Sequence, residues 1–208
     1  MISIKDNEKE LQVAVDIKNE GTALPEFINQ LNIEINKQGR VITNFKLNNV
    51  LCDLADLSSE IIITNKDSIE IFSDSPLHIA KTSIDDFLSQ LDDFVLEIDD
   101  IVSDLIKGDK DASFKKFNIF LGKFRDIIQL LKTIETLFSL NYEEIKFNNT
   151  NLQTFSEDLI KILTEVKDSL VKEDLVTLSD LLEYEIKEKS TEDLRQALKV
   201  LSELLSNG

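Results

Sequence analysis

Three pairs of adjacent aspartates, Asp85/Asp86, Asp92/Asp93 and Asp99/Asp100, recur at seven-residue intervals and are the densest set of chemistry-bearing groups in the chain. Carboxylates repeated at that interval suit one of two tasks: holding divalent cations between helices, or presenting negative charge to a cationic partner. The first task needs ligands that converge inward, ordinarily with a Glu-x-x-His pair, whereas neighbours on a helix diverge by about 100°. His78 is the sole histidine and Cys52 the sole cysteine. Two-histidine and cysteine-cluster metal sites are thereby excluded, as is an intramolecular disulfide. The six aspartates read as a solvated edge open to a protein partner, and no metal site is expected.

Catalysis finds little support. His78 falls at the start of a predicted helix, where a surface or packing role is expected, and Cys52 is expected to be a small buried side chain. Gly39, Gly108 and Gly122 stand singly, so no phosphate-cradling loop or dinucleotide fingerprint is present. Asp109-Lys-Asp111-Ala-Ser113 opens like a calcium loop, but Phe114 stands where the turn glycine belongs and Phe120 where the bidentate glutamate belongs. Glu183 and Glu185, flanking Tyr184, are the remaining acid–base candidates, for a pocket between two parts of the chain. Their spacing carries no specific signature. No catalytic residue and no cofactor are expected, and the chain reads as a non-enzyme.

The paired aspartates belong to three consecutive heptads, Ile84-Asp-Asp-Phe-Leu-Ser-Gln90, Leu91-Asp-Asp-Phe-Val-Leu-Glu97 and Ile98-Asp-Asp-Ile-Val-Ser-Asp104. Ile84, Phe87, Leu91, Phe94, Ile98, Ile101 and Leu105 keep 3-4 spacing, with Leu88, Val95 and Val102 beside them, so one helix face is apolar. No Lys or Arg occurs from Thr82 to Ile106, which predicts an uncompensated acidic stripe about 30 Å long. Ser75-Pro76 supplies a cap and first turn, and Gly108 a stop, giving a helix from Pro76 to Lys107.

Asp111 is expected to cap a second helix with the stripe Phe114, Phe117, Leu121, Phe124, Ile128, Leu131. Phe120, Ile127, Ile134 and Phe138 widen that stripe and imply burial on more than one side. Lys107, Lys110, Lys115, Lys116, Lys123 and Arg125 follow the acidic repeat, and a short turn at Gly108 would bring part of the two charge sets together. The polar stretch Asn141 to Asn151 is the longest expected loop. Leu152 to Val171 resumes the helical period, and Leu175 to Ile186 either continues it or begins another helix. Ser190 resembles the N-cap of a last helix carrying Leu194, Ala197, Leu198, Leu201 and Leu205.

Before Pro76 the pattern differs. Ile2 and Ile4, then Leu11, Val13, Val15 and Ile17, alternate with polar residues as a hairpin does. A helix starting near Gly21-Thr22 carries Leu24, Phe27, Ile28, Leu31 and Ile35 on one face, with Gly39 as its stop. Val41–Leu47 alternates as a strand, Asn48-Asn49 turns, Val50 to Leu57 is expected to be irregular or helical, and Ser68–Phe72 closes with a strand. The segments Thr22-Ala-Leu-Pro-Glu-Phe-Ile-Asn-Gln-Leu31, Val41-Ile-Thr-Asn-Phe-Lys-Leu-Asn-Asn49 and Lys66-Asp-Ser-Ile-Glu-Ile-Phe72 give this region a pattern that resembles β-grasp, ubiquitin-like domains. The small bacterial sulfur carriers of thiamine and molybdopterin synthesis are the members it resembles most. The resemblance implies a β-grasp fold over about residues 1–75. Those carriers act through a terminal Gly-Gly carboxylate, and here the last strand runs into Ser73-Asp-Ser-Pro76 and a further 132 residues. The implied use is a binding platform without carrier chemistry.

The expected fold class is α+β: a small β-grasp-like domain over residues 1–75, followed by an all-α bundle of about four or five helices over residues 76–208. With 42% hydrophobic and 30% charged residues the chain can fold. A formal net charge of −17 disfavours nucleic acid and anionic membrane as partners and favours a basic or helical protein. A homodimer through the heptad seam is also open. The single cysteine, the polar amino terminus and the absence of a long apolar run lead us to expect a cytoplasmic protein. The function expected is noncatalytic protein interaction, as adaptor, assembly factor or chaperone. A ligand binder or enzyme with an interdomain pocket, and an acidic DNA mimic that inhibits a basic protein, are the alternatives.

Overall fold

The computed structural model describes residues 3–7, 9–10, 21–54 and 57–207. It has an α+β fold, with a small mixed sheet near the amino terminus followed by a helical bundle. The chain divides into two compact units, Met1–Ile79 and Ala80–Gly208.

The first unit contains β1 (Ser3–Asp6), β2 (Lys9–Glu10), β3 (Thr22–Ala23), α1 (Leu24–Asn36), β4 (Val41–Leu47), β5 (Val50–Cys52), β6 (Ile62–Ile63) and β7 (Ser68–Asp74). Five of these strands form a sheet in the order β2-β1-β7-β4-β5, with β1 parallel to β7 and the other pairs antiparallel. Period-two alternation sends Ile69 and Ile71 of β7 into one core with Ile4 of β1 and Phe45 of β4, and a register shift between Ile42 and Asn44 breaks the alternation expected for β4 and brings Ile42 to the same side. The face Leu24, Phe27, Ile28, Leu31 and Ile35 of α1 covers them, as its spacing requires. On the other sheet face Lys46 Nζ lies 2.9 Å from Glu70 and 4.8 Å from the centre of the Phe72 ring.

The parallel β1–β7 pair is tied at its end by polar groups gathered round the buried Ser73. Ser73 Oγ donates to both carboxylate oxygens of Asp6 at 2.8 Å, while Asn7 Nδ2 and the Arg40 guanidinium donate to the Ser73 carbonyl. At the opposite end Asn48 Nδ2 donates to Asp67 at 2.8 Å, and the Ser68 amide donates to Asn48 Oδ1 at 2.9 Å. Two turns far apart in sequence are thus stitched together.

Two expectations for this unit need adjustment, and one falls where no residue is described. The run Leu11, Val13, Val15, Ile17, like Ile2, lies outside the described residues. The stretch Val50 to Leu57 opens as a strand, Val50–Cys52, and is irregular or helical only beyond it, at Asp53, Leu54 and Leu57: Asn48 and Asn49 take positive φ (50° and 67°), which folds Val50 back beside Leu47. A further strand, β6, pairs with β3, and the Ile61 carbonyl accepts the first amide of α1 at 2.8 Å in place of a side-chain cap. Gly21 makes that pairing possible. Its φ is 95°, and a Cβ there would lie 2.3 Å from Ile62 Cγ2.

The helices are α2 (Pro76–Lys107), α3 (Lys110–Leu137), α4 (Leu152–Val171), α5 (Leu175–Asp180), a π-helical stretch (Leu181–Ser190) and α6 (Thr191–Asn207). Ser75 Oγ accepts the His78 amide at the head of α2, and Gly108, at φ 78°, ends it. The heptad seam is buried in this chain's own bundle. Phe94 packs on Phe120 and Phe124 of α3 with ring centres 4.6 and 6.0 Å apart.

The cap of α3 is Asp109, which accepts the Ala112 amide at 3.2 Å, and Asp111 lies inside the first turn. Its deepest stripe is Phe117, Phe120, Phe124, Ile127, Leu131 and Ile134, whereas Phe114, Leu121 and Ile128 are only partly buried. The stripe expected from spacing lies one row off, and Ile119 and Leu137 leave α3 a solvent face. Within Asn141–Asn151 the chain forms a small hairpin of β8 (Lys146–Phe147) and β9 (Thr150–Asn151). Phe147 is buried edge-on against Phe155, and the buried Tyr142 hydroxyl donates to the Leu131 carbonyl at 2.7 Å. Burial pushes the Tyr142 hydroxyl pKa well above its ordinary value.

After α4 the chain breaks. Glu173 takes φ 53°, and Asp174 caps α5 by accepting the Thr177 amide and hydroxyl at 3.1 and 2.7 Å. These bonds favour the carboxylate and hold the Asp174 pKa below its usual range. From Leu175 to Asn207 the chain is one helical run with a π-helical middle. Ser190 is therefore not an N-cap: its hydroxyl donates backward to the Glu185 carbonyl.

Candidate functional site

All six paired aspartates lie on the solvent side of α2. The apolar seam faces inward, so the residue directly after each seam position is turned to the flank and the next one outward. Tertiary structure partly neutralises the stripe, from two directions. On one side α3 runs antiparallel and brings Lys116 to 2.7 Å from Asp104 and 4.0 Å from Asp100, with Lys123 on Glu97. On the other side Arg195 of α6 lies 2.6 Å from Asp92, and Lys187 of the π-helical stretch pairs with Asp99. The Asp104 and Asp99 carboxylates raise the pKa of Lys116 and Lys187 respectively, through hydrogen bonds to the ammonium form.

The expectation of an uncompensated stripe is thus corrected. Lys116 and Lys123 meet the edge of α2 across the Gly108 turn, as their place after the repeat leads one to expect, whereas Lys187 and Arg195 are distant in sequence and the gap between Lys81 and Lys107 gave no sign of them. Asp85, Asp86 and Asp93 have no ion-pair partner among the described residues. Leu96, one turn beyond Asp93, is 63% exposed, so the outward face of α2 is an apolar spot bracketed by carboxylates.

The remaining candidates do not converge. His78 Nε2 lies 3.5 Å from Asp74 and the ring is exposed. Cys52 is half-buried on β5, with its Sγ 3.4 Å from the Val50 carbonyl. Tyr184 is 54% exposed, and Glu185, 3.3 Å from Lys189, lines an open groove of about 320 Å³ with Asp158, Lys161 and Glu165. No group of three or more His, Cys, Asp or Glu side chains able to hold a metal ion occurs among the described residues. No helix among them is long and apolar enough to cross a membrane.

A protein-family model described as "Domain of unknown function (DUF8042)" matches residues 82–196, just over half of the chain. The chain belongs to the DUF8042 family. The family span opens in the second turn of α2 and ends one residue beyond Arg195. It therefore takes in the whole acidic edge, the α3 lysines that face it, and both Lys187 and Arg195. No curated protein and no solved structure matches the chain.

Proposed function

We propose that this chain is a noncatalytic protein-interaction module, an adaptor, assembly factor or chaperone, whose α2 edge receives a basic amphipathic helix. The observation that carries the reading is a row of exposed carboxylates along α2, Asp85 and Asp86 and then Asp93 two turns on, that have no ion-pair partner among the described residues, with the exposed Leu96 one turn beyond Asp93. A helix with an apolar stripe and flanking Lys or Arg would cover Leu96 and set its cations against those three groups. A net charge of −17 would draw such a segment in from a distance and repel nucleic acid and anionic lipid.

The same proposal takes Met1–Ile79 as a β-grasp domain serving as a platform. The strand order β2-β1-β7-β4-β5, the parallel β1–β7 pair and α1 packed across the sheet support it. We place the protein in the cytoplasm, where a single free cysteine stays reduced.

The test uses a labelled 20-residue peptide with leucines at helical spacing and flanking lysines, titrated with the full chain at low and physiological salt. Replacing Asp85, Asp86 and Asp93 together by Asn should weaken binding about 10-fold and flatten its salt dependence. Replacing Asp126, Glu143 and Asp168 by their amides changes net charge equally and should alter affinity less than about 2-fold. Equal losses from both triple variants, or no binding by the native chain, would reject this surface.

A further inference from the structure

The helical run from α5 through α6 does not keep α-helical phase. Leu178, Leu182, Ile186, Ser190, Leu194 and Leu198 follow one another in steps of four, and all are buried. In an unbroken α-helix each step of four overshoots a turn by about 40°, so Leu198 would lie about 200° round from Leu178, on the opposite face. The π-helical stretch Leu181–Ser190 removes this drift, because i→i+5 winding takes more residues per turn.

The ion pairs obey the same geometry. Asp92 and Asp99 are seven residues apart, but their partners Arg195 and Lys187 are eight apart. Eight residues of α-helix end about 80° out of line, while seven end about 20° out. With π winding between Lys187 and Thr191 the two cations come onto one face and meet the two aspartates.

Side-chain hydroxyls record which winding is in force. In the α-helices, Thr136, Thr164, Ser169 and Ser206 donate to the carbonyls of Lys132, Ile160, Glu165 and Ser202, each four residues back. Ser190 and Thr191 donate five back, to Glu185 at 2.6 Å and Ile186 at 2.9 Å. The Ile186 carbonyl also accepts the Thr191 amide. Both residues are buried, at 5% and 6% exposure, so water cannot readily replace these bonds.

We propose that Ser190 and Thr191 form a register lock: their hydroxyls hold the π winding and so decide which face α6 turns toward α2. Engaged, the lock keeps Lys187 on Asp99 and Arg195 on Asp92. Released, the segment winds as α-helix, α6 rotates, and Arg195 leaves Asp92. The lock does not depend on α2 docking a partner.

Scalar couplings across hydrogen bonds, measured by NMR on the labelled full chain, test it. The native protein should show a coupling from the Thr191 amide to the Ile186 carbonyl. In the Ser190→Ala, Thr191→Val double variant the coupling to that carbonyl should move to the amide of residue 190, and the interaction between Asp92 and Arg195 in a double-mutant cycle should vanish. Thr191→Ser, which keeps the hydroxyl, should retain the native pattern. A five-back coupling that persists in the double variant, or is missing from the native chain, overturns the proposal. If the double variant does not fold, Ser190→Ala and Thr191→Val are measured singly: each should weaken the five-back coupling relative to the native chain, and an undiminished coupling in both overturns the proposal.

Discussion

Asp67 shows how a single side chain is set by what surrounds it. Its carboxylate accepts from Asn48 Nδ2, the Thr64 amide and the Thr64 hydroxyl, each at 2.8 Å, and the first of these is the largest cause of its lowered pKa. These bonds favour the ionised form, so the stabilisation is present above the unfolded-state pKa and is lost as pH falls through the lower folded-state value. The thermal midpoint of Asp67→Asn should therefore lie below that of the native chain at neutral pH, and the gap should narrow as the pH drops below about 4. A gap that stays constant with pH would show that the carboxylate charge is irrelevant to the turn.

At the scale of elements, the contact between α2 and α3 is carried by aromatic rings. Phe120 is fully buried and lies 4.6 Å from Phe94, 5.9 Å from Phe124 and 6.3 Å from Phe117 between ring centres. Phe120→Ala should cost about 3 to 5 kcal/mol in urea unfolding, whereas Ile119→Ala, on the solvent face, should cost less than about 1 kcal/mol. Equal costs would mean that the stripe on α3 has been placed on the wrong row. The sequence alone offers two overlapping rows, Phe114-Phe117-Leu121-Phe124 and Phe117-Phe120-Phe124-Ile127. Residues on both rows are apolar, so periodicity has no means to rank them.

Across the whole molecule, excess negative charge opposes the compact state. A chain at −17 repels itself, and the ion pairs on α2 offset only part of that field. Screening relieves long-range repulsion more than it weakens contacts of 2.6 to 2.9 Å such as Arg195–Asp92 and Lys46–Glu70. Raising sodium chloride from about 20 to about 200 mM should therefore raise the thermal midpoint by a few degrees. A fall would mean that the ion pairs outweigh the repulsion. What the sequence determined is what local spacing controls: α2 from Pro76 to Lys107, the five-residue face of α1, and strand Val41–Leu47 all follow from periodicity and from residues that start or stop a helix. The short strands β5 and β6, the pairing of Asp92 and Asp99 with Arg195 and Lys187, and the π winding at Leu181–Ser190 were decided only in three dimensions. One trace of the last was legible, the steps of four from Leu178 to Leu198, but with a serine among them they do not read as a face. Cross-chain partners leave no local period, since each side of such a contact satisfies its own helix or strand equally well without the other.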